Sequence, residues 1–213
     1  MTTAARTQPY QSLAPWAEIV PGYGPVTVDI LLELPDDGYI YEVVEGVLVR
    51  MAGSGKQATR LAARLLIKLG GYIEAHRLGV ITGADGVYRF PGNETGLIPD
   101  IGFYIAERDV LAPDDAEPIP FAPDLAVEVA SPSQSRAEMA ARARMYLRAE
   151  TRLVWVVWPQ SGHIDIWHPD ALNGPVSVLT VGGVLDGEDV VPGFTYSVDE
   201  LFSDPLQPDA EPR

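Results

Sequence analysis

Cysteine is absent from the 213 residues, which excludes disulfides, thiolate nucleophiles and the common cysteine-based structural zinc sites. Basic residues are scarce. Fifteen Lys+Arg stand against 30 Asp+Glu, a formal charge of -15, so a phosphate polymer is repelled at long range. This disfavours a protein that coats nucleic acid, but not a cleft in which a metal ion reverses the local field. Long apolar runs are missing too. No stretch approaches the ~18 apolar residues of a membrane span, and MTTAARTQPYQSLAPW at the start has no apolar segment with a cleavage pattern behind it. The expected compartment is the cytoplasm, with no membrane partner.

What is present reads as globular. Hydrophobic residues make up 46% and charged residues 21%, while Gly 20 and Pro 19 announce many turns. The expected organisation is a weakly ordered segment over 1–25, one domain over 26–203 and a flexible, acidic, Pro-rich tail over 204–213. Val26 to Pro35 suggests a short helix stopped by Pro35. Ile40 to Val44 and Val47 to Met51 flank Glu45-Gly46 as a β-hairpin. From Lys56 to His76, Leu61, Leu65, Leu69 and Ile73 recur at helical spacing.

Strand-like runs follow at Gly79 to Phe90, Leu97 to Ala106 and Leu125 to Ala130, with a proline-rich acidic loop (Asp114, Asp115, Glu117) before the last. Ser135-Arg-Ala-Glu138 has capping-box spacing and opens a second helix running to about Glu150. Leu153 to Trp158, Ile164 to Trp167 and Val176 to Val181 read as a C-terminal β-meander. The class is α/β, a mixed β-sheet flanked by α-helices.

Two strands carry the chemistry. Alternation in Pro99-Asp-Ile-Gly-Phe-Tyr-Ile-Ala106 puts Ile101, Phe103 and Ile105 on a core face and Asp100, Gly102 and Tyr104 opposite. In Pro123-Asp-Leu-Ala-Val-Glu-Val-Ala130, Leu125, Val127 and Val129 point inward, and Glu128 shares the other face with Ala126 and Ala130. A carboxylate flanked by alanines on an apolar strand needs a cation, a metal or hydrogen-bond donors. A structural ion pair and a functional site both satisfy that need. Arg142 falls on the flank of the inward stripe Met139, Ala143, Tyr146 and Leu147, either facing the protein as that cation or laying its stem over apolar surface.

Tyr41-Glu-Val-Val-Glu-Gly-Val-Leu-Val, Ile98-Pro-Asp-Ile-Gly-Phe, Pro123-Asp-Leu-Ala-Val-Glu-Val-Ala-Ser-Pro, the Arg142 to Tyr146 segment, Leu153-Val-Trp-Val-Val-Trp-Pro and Val191-Pro-Gly-Phe resemble the Uma-two family in order and spacing, from about Val26 to Phe202. That family resembles the PD-(D/E)XK restriction-endonuclease-like superfamily. The resemblance implies a Mg²⁺-dependent, or Mn²⁺-dependent, endonuclease acting on DNA or another nucleic acid. Asp100 and Glu128 match the metal-binding carboxylates, and Glu42 matches a supporting glutamate of the first hairpin.

Three positions depart from the family pattern. Arg142 stands where lysine is usual, Ala58 where histidine is frequent, and Trp158 where an aspartate precedes the proline. An arginine stabilises negative charge but exchanges no proton near neutrality, and its fork favours carboxylates. Arg142 is thus expected beside the scissile phosphate or clamped on Asp100 and Glu128. The alternative is a catalytically inactive, nuclease-like binding or assembly protein in which Arg142 neutralises the acids; a small-molecule hydrolase using the same cleft is a third reading.

Other signals carry less. Gly53-Ser-Gly-Lys56 lacks the first glycine and the Ser/Thr of a phosphate loop. His163 and His168 fall on opposite faces and His76 is remote, against a histidine metal cluster. No Gly-x-Ser-x-Gly elbow supports serine hydrolysis. Trp155, Trp158 and Trp167 read as core or subunit-interface residues. With the β-rich edges they suggest a homodimer.

Overall fold

The hairpin forms because apolar residues alternate on both sides of a turn that accepts positive φ. Ile40–Val44 (β2) and Val47–Met51 (β3) pair antiparallel, with Glu42 opposite Val49. Glu45 and Gly46 close the turn at φ 49° and 78°, the twist a two-residue hairpin demands. The computed structural model describes residues 14–15, 17–51, 53–112 and 118–204. The acidic loop at 113–117 and the outer parts of both expected loose ends, 1–13 and 205–213, lie outside the described residues. Within the expected N-terminal segment, Glu18–Ile19 (β1) pairs with β3.

Ile30–Glu33 (α1) precedes the hairpin, and Lys56–His76 (α2) follows it. Then come Gly79–Thr82 (β4), Tyr88–Phe90 (β5), Thr95–Leu97 (β6), Ile101–Ile105 (β7) and Leu125–Val129 (β8). Arg136–Arg148 (α3), Leu153–Trp158 (β9), His163–Trp167 (β10) and Ser177–Leu179 (β11) follow. Val184–Asp186 (β12), Thr195–Ser197 (β13) and Val198–Phe202 (α4) complete the fold.

Five strands form one sheet, β1-β3-β2-β6-β5, and six form a second, β11-β10-β9-β8-β7-β4; β12 and β13 pair separately. In the six-stranded sheet only β8 and β9 run parallel. A parallel pair needs a crossover, and α3 is that crossover. Ser135 opens α3 with a complete capping box to Glu138, as its spacing predicts. The C-terminal meander, β9 to β11, extends this same sheet.

Two predicted strands are each split between sheets. Gly79 to Phe90 divides into β4 and β5, and Leu97 to Ala106 into β6 and β7. Pro99 offers no N–H to a ladder, so the chain leaves one sheet there and enters the other. Asp100 sits at that crossing.

The expectation of a single core face on β7 and β8 also fails. Ile101, Phe103, Leu125 and Val127 pack against Leu61, Leu65, Leu69 and Ile73 of α2. Tyr104, Ala126 and Ala130 are buried as well, against Met139, Ala143 and Tyr146 of α3 and Val44, Tyr88 and Leu97 of the five-stranded sheet. Both faces are covered, as a sheet layered between other elements requires. Gly102 leaves room for the Tyr88 ring, which a Cβ at that position would strike. Among the described residues no helix is long and apolar enough to cross a membrane.

Candidate active site

The acids converge between the two sheets. β7 and β8 pair with Ile101 opposite Val127 and Gly102 opposite Ala126; one step further, Asp100 stands opposite Glu128 on the α3 side. Glu42 reaches the same region from β2 and Arg142 from α3. All four sequence-predicted site residues are therefore brought together. Glu42 is 0%, Glu128 6% and Arg142 1% exposed.

Arg142 is held mainly by a residue other than the two expected. Its Nη1 donates to Glu42 Oε2 at 2.7 Å and its Nη2 to Glu42 Oε1 at 2.7 Å, a bidentate pair. Nη2 also donates to the Ile98 carbonyl at 3.0 Å. Nε lies 2.7 Å from Glu128 Oε1. The expected clamp on Asp100 and Glu128 is thus corrected to Glu42 and Glu128. Glu42 stands across the hairpin facing the guanidinium plane, whereas Asp100 is held by the backbone: its Oδ2 accepts the Val129 N–H at 2.7 Å. Glu42 further accepts the Ile98 N–H at 2.8 Å, tying the β6–β7 crossing to the hairpin.

Tyr146, expected from the sequence as a core residue of the inward stripe, is also part of the site. Its hydroxyl donates to Glu128 Oε1 at 2.7 Å. The signal was available, because residues four apart share a helix face and Tyr146 follows Arg142 at that spacing. Burial holds the phenol well above its ordinary pKa, so it stays a hydroxyl donor.

Three carboxylates face one guanidinium. Burial, opposed by Arg142 but reinforced by Asp100 and Glu42, pushes Glu128 up to about 8. Asp100 is raised as well, chiefly by burial, against the Val129 hydrogen bond and Arg142. Both directions report surplus negative charge in a poorly hydrated place.

The surplus borders a cleft of about 180 Å³, lined by Asp100, Glu128 and Arg142 on one side and by Ser131, Ser133 and Gln134 of the β8–α3 loop on another. Among the described residues, nothing hydrogen-bonds to the second oxygen of Asp100 or of Glu128. Hard oxygen donors opposite one another, each with an oxygen to spare, fit a divalent cation such as Mg²⁺. No group of three or more His, Asp or Glu is arranged as a metal-ligand set among the described residues. Glu42 is committed to Arg142, and a cation on the other two would keep positions for water and substrate oxygens.

Other buried polar groups are structural in their contacts. Asp124, in the second Pro-Asp pair, accepts from Ile105 N at 2.9 Å and Arg108 Nη1 at 3.2 Å. Trp158, at the position of the family's aspartate, donates to Asp165 Oδ2 at 2.8 Å and stacks on His163. Ala58 is buried in the α2 core.

The fold is a mixed α/β architecture with an acidic cleft between two sheets. A solved structure described as "a putative nuclease belonging to DUF820", from Anabaena variabilis ATCC 29413, superposes with a TM-score of 0.71 at 19% identity, covering 84% of this chain and 98% of that one. The family model Uma2, described as "Putative restriction endonuclease", matches residues 28–199. The chain belongs to the Uma2 family. No curated protein matches it in sequence.

Proposed function

We propose that the protein hydrolyses phosphodiester bonds of nucleic acid in a divalent-metal-dependent reaction, with Asp100 and Glu128 as the metal-binding carboxylates and Glu42 and Arg142 as their supports. The observation that carries this reading is the pair of opposed carboxylates, each with a spare oxygen on one cleft, in a site where acids outnumber the guanidinium. When bound, Mg²⁺ or Mn²⁺ would polarise the phosphate and ease attack by water. Val129 N–H fixes the Asp100 carboxylate, and Tyr146 and Arg142 fix Glu128. Arg142 supplies positive charge within the site without exchanging a proton. Its fork is spent on Glu42, so it acts on the phosphate by field and by keeping Glu128 oriented.

That same clamp favours a second reading, a nuclease-like binding or assembly protein without catalysis. One guanidinium against three carboxylates leaves the site acidic, which keeps metal binding as the leading reading. Calorimetric titration separates the two. Mg²⁺ and Mn²⁺ are expected to give a binding heat, and Asp100→Ala to weaken it at least about tenfold. Cleavage of single-stranded DNA or nicking of supercoiled plasmid should depend on the metal and disappear in Asp100→Ala. No heat with the native protein supports the silent reading.

A homodimer is part of the proposal, with its contact moved from the tryptophans. Trp155 and Trp167 are buried within the subunit, whereas β11 is an edge strand with Val178 exposed on it and Val176 and Val181 exposed beside it. An uncovered apolar edge is a pairing surface. Sedimentation should give twice the 23.1 kDa chain mass, and Val178→Lys should return it to one.

A further inference from the structure

A second cavity, of about 240 Å³, opens beside the carboxylate cleft and shares Ile40, Ala84 and Ile98 with it. Its lining differs in kind. Leu31, Leu34, Val87, Tyr39 and Tyr41 present aliphatic and aromatic surface, with Asp36 and Asp85 at hand and no Lys or Arg in the lining among the described residues. Tyr39 is 55% and Ile40 42% exposed, so both side chains are open to a ligand at the mouth of the groove.

The two rings are held in place. The Arg50 guanidinium lies 4.5 Å from the Tyr39 ring centroid and is itself paired with Glu18. The Tyr41 hydroxyl donates to Asp37 Oδ2 at 2.7 Å. The rings stand edge to face with centroids 6.4 Å apart. Ile98 links this groove to the acids, because its N–H and carbonyl bind Glu42 and Arg142 while the residue lines both cavities.

We propose that this groove seats an unpaired nucleobase, and that the substrate is therefore a single strand or a splayed end rather than an intact duplex; this rests on the phosphodiester reading above. A duplex presents phosphates to any protein that grips it, and grip comes from neutralising them. The walls here carry acids, which repel phosphate, and rings, which do not repel a base. Every base has a π-face and can stack on tyrosine, while a divalent cation at the neighbouring carboxylates would offset the charge of the adjoining phosphate. A strand entering this way places the neighbouring phosphodiester over Ile98, toward Asp100 and Glu128.

The test is fluorescence anisotropy with a short labelled DNA strand, its duplex and an abasic strand of equal length, using the full chain with Ca²⁺ in place of Mg²⁺. The strand should bind more tightly than duplex or abasic strand. Tyr39→Ala should weaken strand binding at least about fivefold, the scale of one lost base stack, while Tyr39→Phe keeps it. Tyr39 is exposed, so unchanged melting temperatures are expected for both variants. Equal affinity for duplex, indifference to Tyr39→Ala, or displacement by a nucleoside monophosphate as effective as by the strand would each overturn the proposal. Metal-dependent nicking with Tyr39-independent strand binding sinks this inference and leaves hydrolysis standing. Tyr39-dependent strand binding without cleavage keeps the base-seating groove but sinks hydrolysis and, with it, the strand as substrate.

Discussion

Arg142→Ala is expected to lower stability by about 3–5 kcal/mol, the cost of breaking a buried ion pair by removing one partner. For a chain of this size that is a fall in melting temperature of roughly 6–20 °C. The cause is specific: Glu42, wholly buried, loses both of its guanidinium hydrogen bonds, and Glu128 loses its nearest positive charge. Arg142→Lys should fall between the two proteins, because an ammonium restores charge but not the planar fork that meets both Glu42 oxygens. Thermal unfolding of the three proteins in EDTA checks the order. Equal melting temperatures would mean that Arg142 does not compensate the acids.

The second large effect concerns pH. Glu128 has its carboxyl raised from an ordinary 4.5 to about 8 in the folded protein. The native state therefore holds a proton that the unfolded state has released between those values. Stability is greatest below about 4.5 on this account and declines as pH rises through 8. The difference is on the order of 5 kcal/mol for one such group, and Asp100 acts in the same direction. In metal-free buffer, Glu128→Gln, which cannot ionise yet keeps an oxygen for Tyr146, should lose less stability than the native protein between pH 5 and pH 9. Denaturant unfolding across that range measures it. Parallel profiles for the two proteins would show that Glu128 is not held protonated.

Much of this site was legible because its parts obey local rules. Period-two alternation placed Asp100 and Glu128 on one face, and the capping box fixed where α3 begins. Since α3 starts there, Arg142 points inward with Met139 and Tyr146. The resemblance to a known family supplied Glu42. What alternation could not convey was that β7 and β8 are covered on both sides, since small residues such as Ala126 and Ala130 look the same against solvent or a helix. The splitting of two runs between sheets was signalled only by Pro99 and by the turn around Gly83, and neither says which sheet a strand joins. The choice of Glu42 as the chief partner of Arg142 is a tertiary fact, set by two layers meeting. No spacing along one element encodes it.

That partnership joins residues 100 positions apart in the chain. Loop closure over such a span is entropically costly and is compensated only once the intervening elements have packed. The hairpin carrying Glu42 can fold early, but its carboxylate must stay hydrated until α3 docks. During synthesis, a ribosome that stalls before α3 emerges leaves the first sheet with an acid it cannot bury. No partial chain ending short of α3 contains the acidic pocket.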